Sequence, residues 1–320
     1  MGGGILLKKL INNEKIGHIT VFSKNPKKHK DKYNSPKLAW TDNFSSIEKD
    51  TNVNACFIAL PAPLHYDFAK KSLMSGKNVF VEKPMTLSYE EACEISLLAD
   101  EFGKTLTVDH TFLFTPQIRR VKALLDSGRL GKLKFYDSAR LSLGNIQKDI
   151  DVIWDLAVHD IAILEYLFEE KPVKVKANGY GNVYNGVVSG AVIHLSYQSG
   201  FSANIKVSWD YPEKIRDIFI IGSKAGIKYD DTAVYDERLK VIDNYYDFND
   251  DGSVSYNVNG CSYENIPHQD AVETAINEFL DICENGKGNN LSDGIFSSRV
   301  VKILEKTDYS LKNNGAEVEI

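Results

Sequence analysis

Two groups of residues have the types and spacing to move a proton. The first is Glu82-Lys83-Pro84, which closes the stretch Gly76-Lys-Asn-Val-Phe-Val-Glu-Lys-Pro84. A lysine delivered at the end of a buried strand is partly desolvated, and desolvation shifts an ammonium toward neutrality, which suits an electrophile or proton relay. The second is Asp155 with His159, in Trp154-Asp-Leu-Ala-Val-His-Asp160. Four residues apart on a helix, the two side chains share a face. A carboxylate beside an imidazole orients the ring and raises its basicity, as a general base near neutral pH requires. Each group also fits a plainer account. Glu82 and Lys83 fit a solvated turn with an incidental ion pair, while Asp155 could cap a helical turn and His159 could be a satisfied core histidine. A metal would need a third ligand at suitable spacing; the sequence offers none, so no metal is expected.

The elements that must position these residues follow from hydrophobic pattern and punctuation. Asn78 to Val81 is β-rich and apolar, the pattern of a short buried strand. A helix precedes it, with Tyr66, Ala69 and Leu73 at helical spacing and Gly76 as a left-handed C-cap; Pro84 stops the strand. Ala55 to Leu60 is a continuous apolar run ending in Pro61-Ala-Pro63, as in a doubly buried parallel strand. His18 to Phe22, Leu38 to Trp40 and Thr105 to Val108 complete the strands of this half. A short helix is expected over Asp42–Glu48. Another runs from Tyr89 to Phe102 behind the capping box Ser88-Tyr-Glu-Glu91, and Gly103 ends it. Alternating strands and helices spell a doubly wound, Rossmann-like parallel sheet, in which ligands bind at the carboxyl ends of the strands. The turn Ala59-Leu60-Pro61, with His65 opening the next helix, would then run under a cofactor.

Beyond Asp109-His110-Thr111 the character shifts. A helix from about Pro116 to Ser127 leads into a strand over Leu133–Leu143. Further strand patterns follow at Val173–Tyr180, Val187–Tyr197, Phe201–Trp209 and Arg216–Ile221, and helices at Gln269–Glu284 and about Asp293–Lys312. The α/β fold expected is a dinucleotide-binding domain over 1–112 and, over 113–320, an α+β domain built on a large open, mostly antiparallel sheet.

The amino terminus matches only part of this scheme. Gly2-Gly3-Gly4 opening an apolar-periodic helix is the second half of a dinucleotide-binding turn, where backbone N–H groups approach a pyrophosphate. The first strand and first glycines of that turn are missing. The expectation is a chain truncated or mis-started by about ten residues of the form strand-Gly-x-Gly-x. After the strand ending at Phe22, Ser23 and Lys24 stand where an acid would bind ribose hydroxyls. A hydroxyl and a cation there suit a 2′-phosphate, favouring NADP over NAD, although a solvated lysine-rich loop has the same composition.

Composition excludes several classes. The 320 residues carry a net charge of −6, with 43% hydrophobic and 26% charged residues, which suits an ordinary globular protein and argues against nucleic acid or an anionic membrane as partner. No apolar run approaches the ~20 residues of a membrane span, and Ile5–Leu7 is too short for a signal peptide. Cys56, Cys93, Cys261 and Cys283 are widely spaced, the pattern of buried reduced thiols in a cytoplasmic protein.

GKNVFVEKP together with WDLAVHD resembles the glucose–fructose oxidoreductase / inositol dehydrogenase / rhizopine-catabolism (Gfo/Idh/MocA) family, over nearly the whole chain except its amino terminus. The resemblance implies an NAD(P)-dependent oxidoreductase. It places Lys83 and the Asp155/His159 pair beside the nicotinamide, and Glu82 and Lys83 among the cofactor contacts. His159 would take the hydroxyl proton, Lys83 would stabilise developing alkoxide charge and Asp155 would orient them; in some members the lysine is the base, so these two roles stay open. Asp109-His110-Thr111, Arg140-Leu-Ser-Leu-Gly144 and Trp154 resemble members acting on sugars or nucleotide sugars, which makes His110, Arg140, Trp154, Asp155 and His159 the implied substrate contacts. Gly294–Gly315 and the closing Val318-Glu-Ile320 resemble the family's carboxyl terminus, and family members often form dimers or tetramers through the second domain. A non-catalytic dinucleotide-sensing regulator of the same fold is the alternative that the resemblance allows. The chain is expected to bind NADPH more tightly than NADH, and Ser23→Asp to shift preference toward NADH. Fluorescence titration with both cofactors checks this; equal affinities in the parent, or no shift in the variant, would refute it.

Overall fold

Residues 2–144, 146–181, 187–286 and 288–320 are described by the structure, a computed structural model. Their contacts divide the chain into two units, Met1–Thr111 with Asp270–Ser298, and Phe112–Gln269 with Arg299–Ile320. In the first unit, α1 (Gly2–Asn12) precedes β1 (Ile19–Phe22), α2 (Pro26–Lys30), β2 (Leu38–Thr41), α3 (Phe44–Lys49), β3 (Ala55–Ile58), α4 (His65–Met74), β4 (Asn78–Glu82), α5 (Tyr89–Glu101) and β5 (Leu106–Asp109). All strand pairings here are parallel, β1 with β2 and β4 with both β3 and β5. Val79, Phe80 and Val81 of β4 are wholly buried, as a strand covered on both faces must be. Gly76 has φ +75°, the left-handed conformation that ends α4 without a Cβ penalty.

The parallel sheet is in two pieces. Among the described residues β1–β2 and β3–β4–β5 are not hydrogen-bonded to each other, and a cavity of about 550 Å³ lies between β1 and β3, lined also by Leu6 and Leu10 of α1.

The second unit contains α6 (Pro116–Asp126), β6 (Leu133–Leu143), a single π-helical turn (Ile153–Ala157) continuing into α7 (Val158–Leu167), and the strands β7 (Pro172–Tyr180), β8 (Gly190–Tyr197), β9 (Ser202–Ser208), β10 (Asp210–Gly222), β11 (Gly226–Asp230), β12 (Leu239–Phe248) and β13 (Val254–Tyr263). The chain then forms α8 (Ala271–Asn285), α9 (Gly294–Lys312) and β14 (Val318–Glu319). One nine-stranded sheet runs β13-β12-β11-β10-β6-β9-β8-β7-β14. Only β6–β9 is parallel within it, so the sheet is mostly antiparallel.

Several expectations change. A single cut at 112/113 misses the return of Asp270–Ser298 to the first unit. That return has a packing cause: Phe279 of α8 meets Phe57 and Phe80 edge-on at 5.3 and 5.5 Å, and Lys9 bonds Asp270 at 2.6 Å. Ser88 occupies the N-cap of α5, but its side chain makes no capping bond, so the capping box is not formed. The lysine-rich stretch after Ser23 holds the short helix α2. The β12–β13 hairpin, absent from the expected strands, turns at Asp251-Gly252, a hairpin signal present in the sequence. The four cysteines are free thiols, but Cys261 is exposed and only Cys56 is buried. Among the described residues no helix is long and apolar enough to cross a membrane.

Because Phe279 is 1% exposed and joins the return segment to the first unit's core, Phe279→Ala should cost about 3–5 kcal/mol, as for other buried aromatic truncations. Urea unfolding followed by circular dichroism measures the loss; a change below about 1 kcal/mol would show that α8 does not carry this core.

Candidate active site

In the first unit, the chemistry-bearing residues gather at the carboxyl ends of the parallel strands. Glu82 closes β4 and Asp109 closes β5, and the two are register partners. Side chains of directly paired residues project to one face of a sheet, so two carboxyl groups stand side by side with Lys83 following in the chain. Desolvation by burial raises Glu82's pKa to about 7, with repulsion from Asp109 adding to the rise and Lys83 opposing it. Burial likewise raises Asp109, against a 2.7 Å bond donated by Thr111 Oγ1 and the attraction of Lys83. Like charges this close resist ionising together. The result is an acidic pair poised to hold a proton near neutral pH, with a cation beside it.

His65, which the sequence reading places under a cofactor, is buried at the start of α4. Its Nδ1 lies 2.7 Å from the Pro84 carbonyl and its Nε2 2.8 Å from that of Leu60. A neutral imidazole carries one N–H, so His65 donates to one of these two carbonyls, according to its tautomer, and packs between the turn after β3 and the turn after β4. Burial pushes its pKa below the ordinary value.

His110 is 2% exposed, and neither ring nitrogen has a hydrogen-bond partner among the described residues; its ring meets Phe296 edge-on at 5.8 Å. Burial drives its pKa down to about 3, with repulsion from Lys83 adding to the shift, so it is a neutral imidazole at physiological pH.

The glycines at the start of α1 make a close backbone approach. A Cβ on Gly3 would stand 3.3 Å from that of Ala59, and one on Gly4 would stand 3.0 Å from the Tyr33 hydroxyl. The start of α1 is therefore packed against the Ala59 methyl group in the turn after β3 and the Tyr33 hydroxyl, where only glycine leaves room; the N–H groups of a helix N-terminus are suited to an anion such as a phosphate. Ser23 lies at the end of β1, where its hydroxyl accepts from Asn25 N, and Lys24 is exposed.

In the second unit, the approach to α7 carries Trp154, Asp155 and His159. The N-terminal capping foreseen as one option for Asp155 is done by Asp151, whose Oδ1 accepts from Ile153 N and Trp154 N. Asp155 instead accepts from Trp209 Nε1 at 3.0 Å. His159 packs edge-on against Phe112 at 5.2 Å, and Trp154 is buried. Arg140 of β6, expected among the substrate contacts, is 5% exposed and donates to Asp160 at 2.9 and 3.4 Å, with its guanidinium 4.3 Å over the Phe112 ring. Removing one partner of such a buried pair costs about 3–5 kcal/mol. Further along α7, Glu165 receives Lys171 and Arg299, both at 3.1 Å.

The sequence reading missed Asp109, Asp160 and Trp209. Their partners are 27, 20 and 54 residues away in the chain. Only the strand ending at Asp109 carried a signal, since an acid at the carboxyl end of a parallel strand is a candidate by position alone.

Comparison with known proteins agrees with this architecture. A family model described as "Oxidoreductase family, NAD-binding Rossmann fold" matches residues 6–110, and one described as "GFO/IDH/MocA C-terminal domain" matches residues 118–228. The scyllo-inositol 2-dehydrogenase (NAD(+)) of Bacillus subtilis is 28% identical over 185 residues, 54% of this chain and 54% of that protein. The chain spans little more than half the length of the curated relatives it matches. Among solved structures, UDP-N-acetylglucosamine 3-dehydrogenase from Acidithiobacillus ferrooxidans is similar with a TM-score of 0.80 at 20% identity, covering 98% of this chain and 95% of that one. GenD2 from gentamicin A biosynthesis, solved in complex with NAD, gives 0.83 at 19% identity, covering 100% and 93%.

Glu82 should make stability depend on pH. A carboxyl whose pKa is raised on folding holds its proton longer in the folded chain, so stability falls as pH climbs from about 4.5 to about 7. Glu82→Gln removes that ionisation. Its stability relative to the parent should be unchanged near pH 4.5 and improve through pH 7 by roughly 1–3 kcal/mol. Thermal melts across this range decide it; a pH-independent difference would rule out the buried acid pair.

Proposed function

Because the chain belongs to the Gfo/Idh/MocA oxidoreductase family, we propose that it interconverts a secondary alcohol and a ketone on a sugar, nucleotide sugar or cyclitol. The observation that carries this reading is the placement of Lys83 at the carboxyl end of β4, flanked by the Glu82/Asp109 pair. The named relatives act on an inositol and on a UDP-linked amino sugar, which supports a polyol-like substrate.

NAD or NADP would be held by the Gly2–Gly4 end of α1, by Ser23 and Lys24, by Ala59-Leu60-Pro61 and by Glu82-Lys83. When bound, its nicotinamide supplies the hydride acceptor. His159 takes the proton of the substrate hydroxyl as the carbonyl forms. Asp155 holds that imidazole in the accepting tautomer, and Trp209 fixes the carboxylate in turn. Lys83 donates to the reacting oxygen and stabilises alkoxide charge as it develops. Trp154, Arg140 and His110 shape the surroundings; Arg140 acts through Asp160 and Phe112, which hold α7 in place. A cytoplasmic homo-oligomer is part of this reading, supported by Phe248, Tyr256 and Val258, each more than 70% exposed on one hairpin.

The test is turnover of inositols and UDP-sugars with NAD⁺ and NADP⁺. Lys83→Ala and His159→Ala should each lower kcat by roughly 10²-fold or more, with cofactor affinity little changed in His159→Ala. Near-full turnover by either variant would overturn the assignment. Cofactor binding without turnover of any polyol would favour the regulatory alternative.

A further inference from the structure

Asp155 and His159 stand on a segment whose register is unusual. Ile153–Ala157 is a π-helical turn, and Val158–Leu167 continues it as α-helix. A π turn bonds i to i+5 where an α turn bonds i to i+4; it is rare and occurs mostly as a single turn. If this turn tightened to α, the residues before the slip would rotate by one position, ~100° around the helix axis. Asp155 would swing away from its present partner. The register of the turn therefore decides where that carboxylate stands.

The turn is held at its entry and at its middle. At the entry, Asp151 Oδ1 accepts from Ile153 N at 2.9 Å and from Trp154 N at 3.2 Å. One side chain thus takes two of the N–H groups that a helix start leaves without partners. Val152 N donates to Val188 O at 3.3 Å, which ties the same entry to the segment before β8. In the middle, Trp209 Nε1 donates to Asp155 Oδ2 at 3.0 Å. That indole is fixed in its turn. Trp209 is 2% exposed, and Gly144 N donates to its carbonyl at 3.0 Å. A Cβ on Gly144 would stand 2.8 Å from the indole Cδ1, so only glycine leaves room for the ring. Trp209 therefore offers one donor in one place, and Asp155 meets it only while the entry to the turn is pinned.

We infer that Asp151 is a positioning residue for the alcohol–ketone chemistry proposed above, and the inference rests on that reading. Asp151 acts through the backbone. By capping the π turn it keeps Asp155 on Trp209, and with it the orientation that Asp155 imposes on His159. What the turn needs from residue 151 is an acceptor oxygen at short reach. Asparagine supplies the same Oδ1 and replaces aspartate, whereas alanine does not.

The test uses the 320-residue chain labelled with ¹⁵N at its three tryptophans, Trp40, Trp154 and Trp209. Trp209→Phe identifies the Trp209 indole resonance by its loss, and Asp155→Ala marks where that resonance falls without its acceptor. Asp151→Ala should move it toward the Asp155→Ala position and leave Trp40, in the first unit, unmoved. Asp151→Asn should keep it at the parental position. In turnover, Asp151→Ala should lower kcat at least about tenfold, with KM for polyol and cofactor little changed. Asp151→Asn should keep the parental kcat. Asp151→Glu retains the charge without the short reach of a cap, should behave as alanine, and decides the matter where the alanine variant does not fold. Adding Trp209→Phe to Asp151→Ala should cost little more than the worse single change, since both act through Asp155. The indole shift is read without substrate, so it decides the placement even where no polyol turns over and the proposed function itself falls. A Trp209 resonance unmoved by Asp151→Ala overturns the inference. So does an asparagine variant that behaves as alanine, or losses in the double variant that add in full.

Discussion

A peptide group taken out of water must find another hydrogen-bond partner, and the architecture of both units follows from that requirement. In the second unit it is met by one ladder of nine strands. In the first it is met around β4, whose central residues are completely buried and which is paired on both sides. Among the described residues no strand pairing joins β1 to β3, whose facing residues are only half-buried. Lys83, Glu82 and Asp109 stand on the satisfied part of the ladder, which holds their backbone in place independently of the gap.

Burial acts on charge as well as on backbone, and the two units answer it differently. At the ends of β4 and β5 the carboxyls of Glu82 and Asp109 lose solvent together, so a proton becomes the cheaper counterion and Lys83 offsets only part of the cost. Along the π-helical turn and α7 the acids are matched to bases or donors: Asp155 to Trp209, Asp160 to Arg140, Glu165 to Lys171 and Arg299. Those contacts come from the β9–β10 junction, β6, α9 and the segment just after α7, so the helix carrying His159 is held at several turns. A base held by such a frame needs little reorganisation at the moment of reaction.

Most of the local structure was legible from residue order. Gly76 after an apolar-periodic run marked the end of α4, and the run through Val79–Val81 followed by Pro84 marked a buried strand with Lys83 at its end. Spacing placed Asp155 and His159 on one helical segment. These inferences work because helix and strand periodicity, glycine's access to positive φ and proline's missing N–H are properties of a few consecutive residues.

What the sequence alone did not yield are the partnerships made across tens of residues. Nothing near His65 announces that its ring would pack between the carbonyls of Leu60 and Pro84, and nothing near Arg140 announces Asp160. Asp109 becomes a partner of Glu82 only through the register of β4 and β5, and α8 joins the first unit through Phe279 against Phe57 and Phe80 and through Lys9 with Asp270. By itself the chain determined its elements, their order and the residue types delivered at the strand ends. The tertiary structure decided which of those residues are buried together, because desolvation, ion pairing and aromatic packing depend on distances in space that sequence separation does not set.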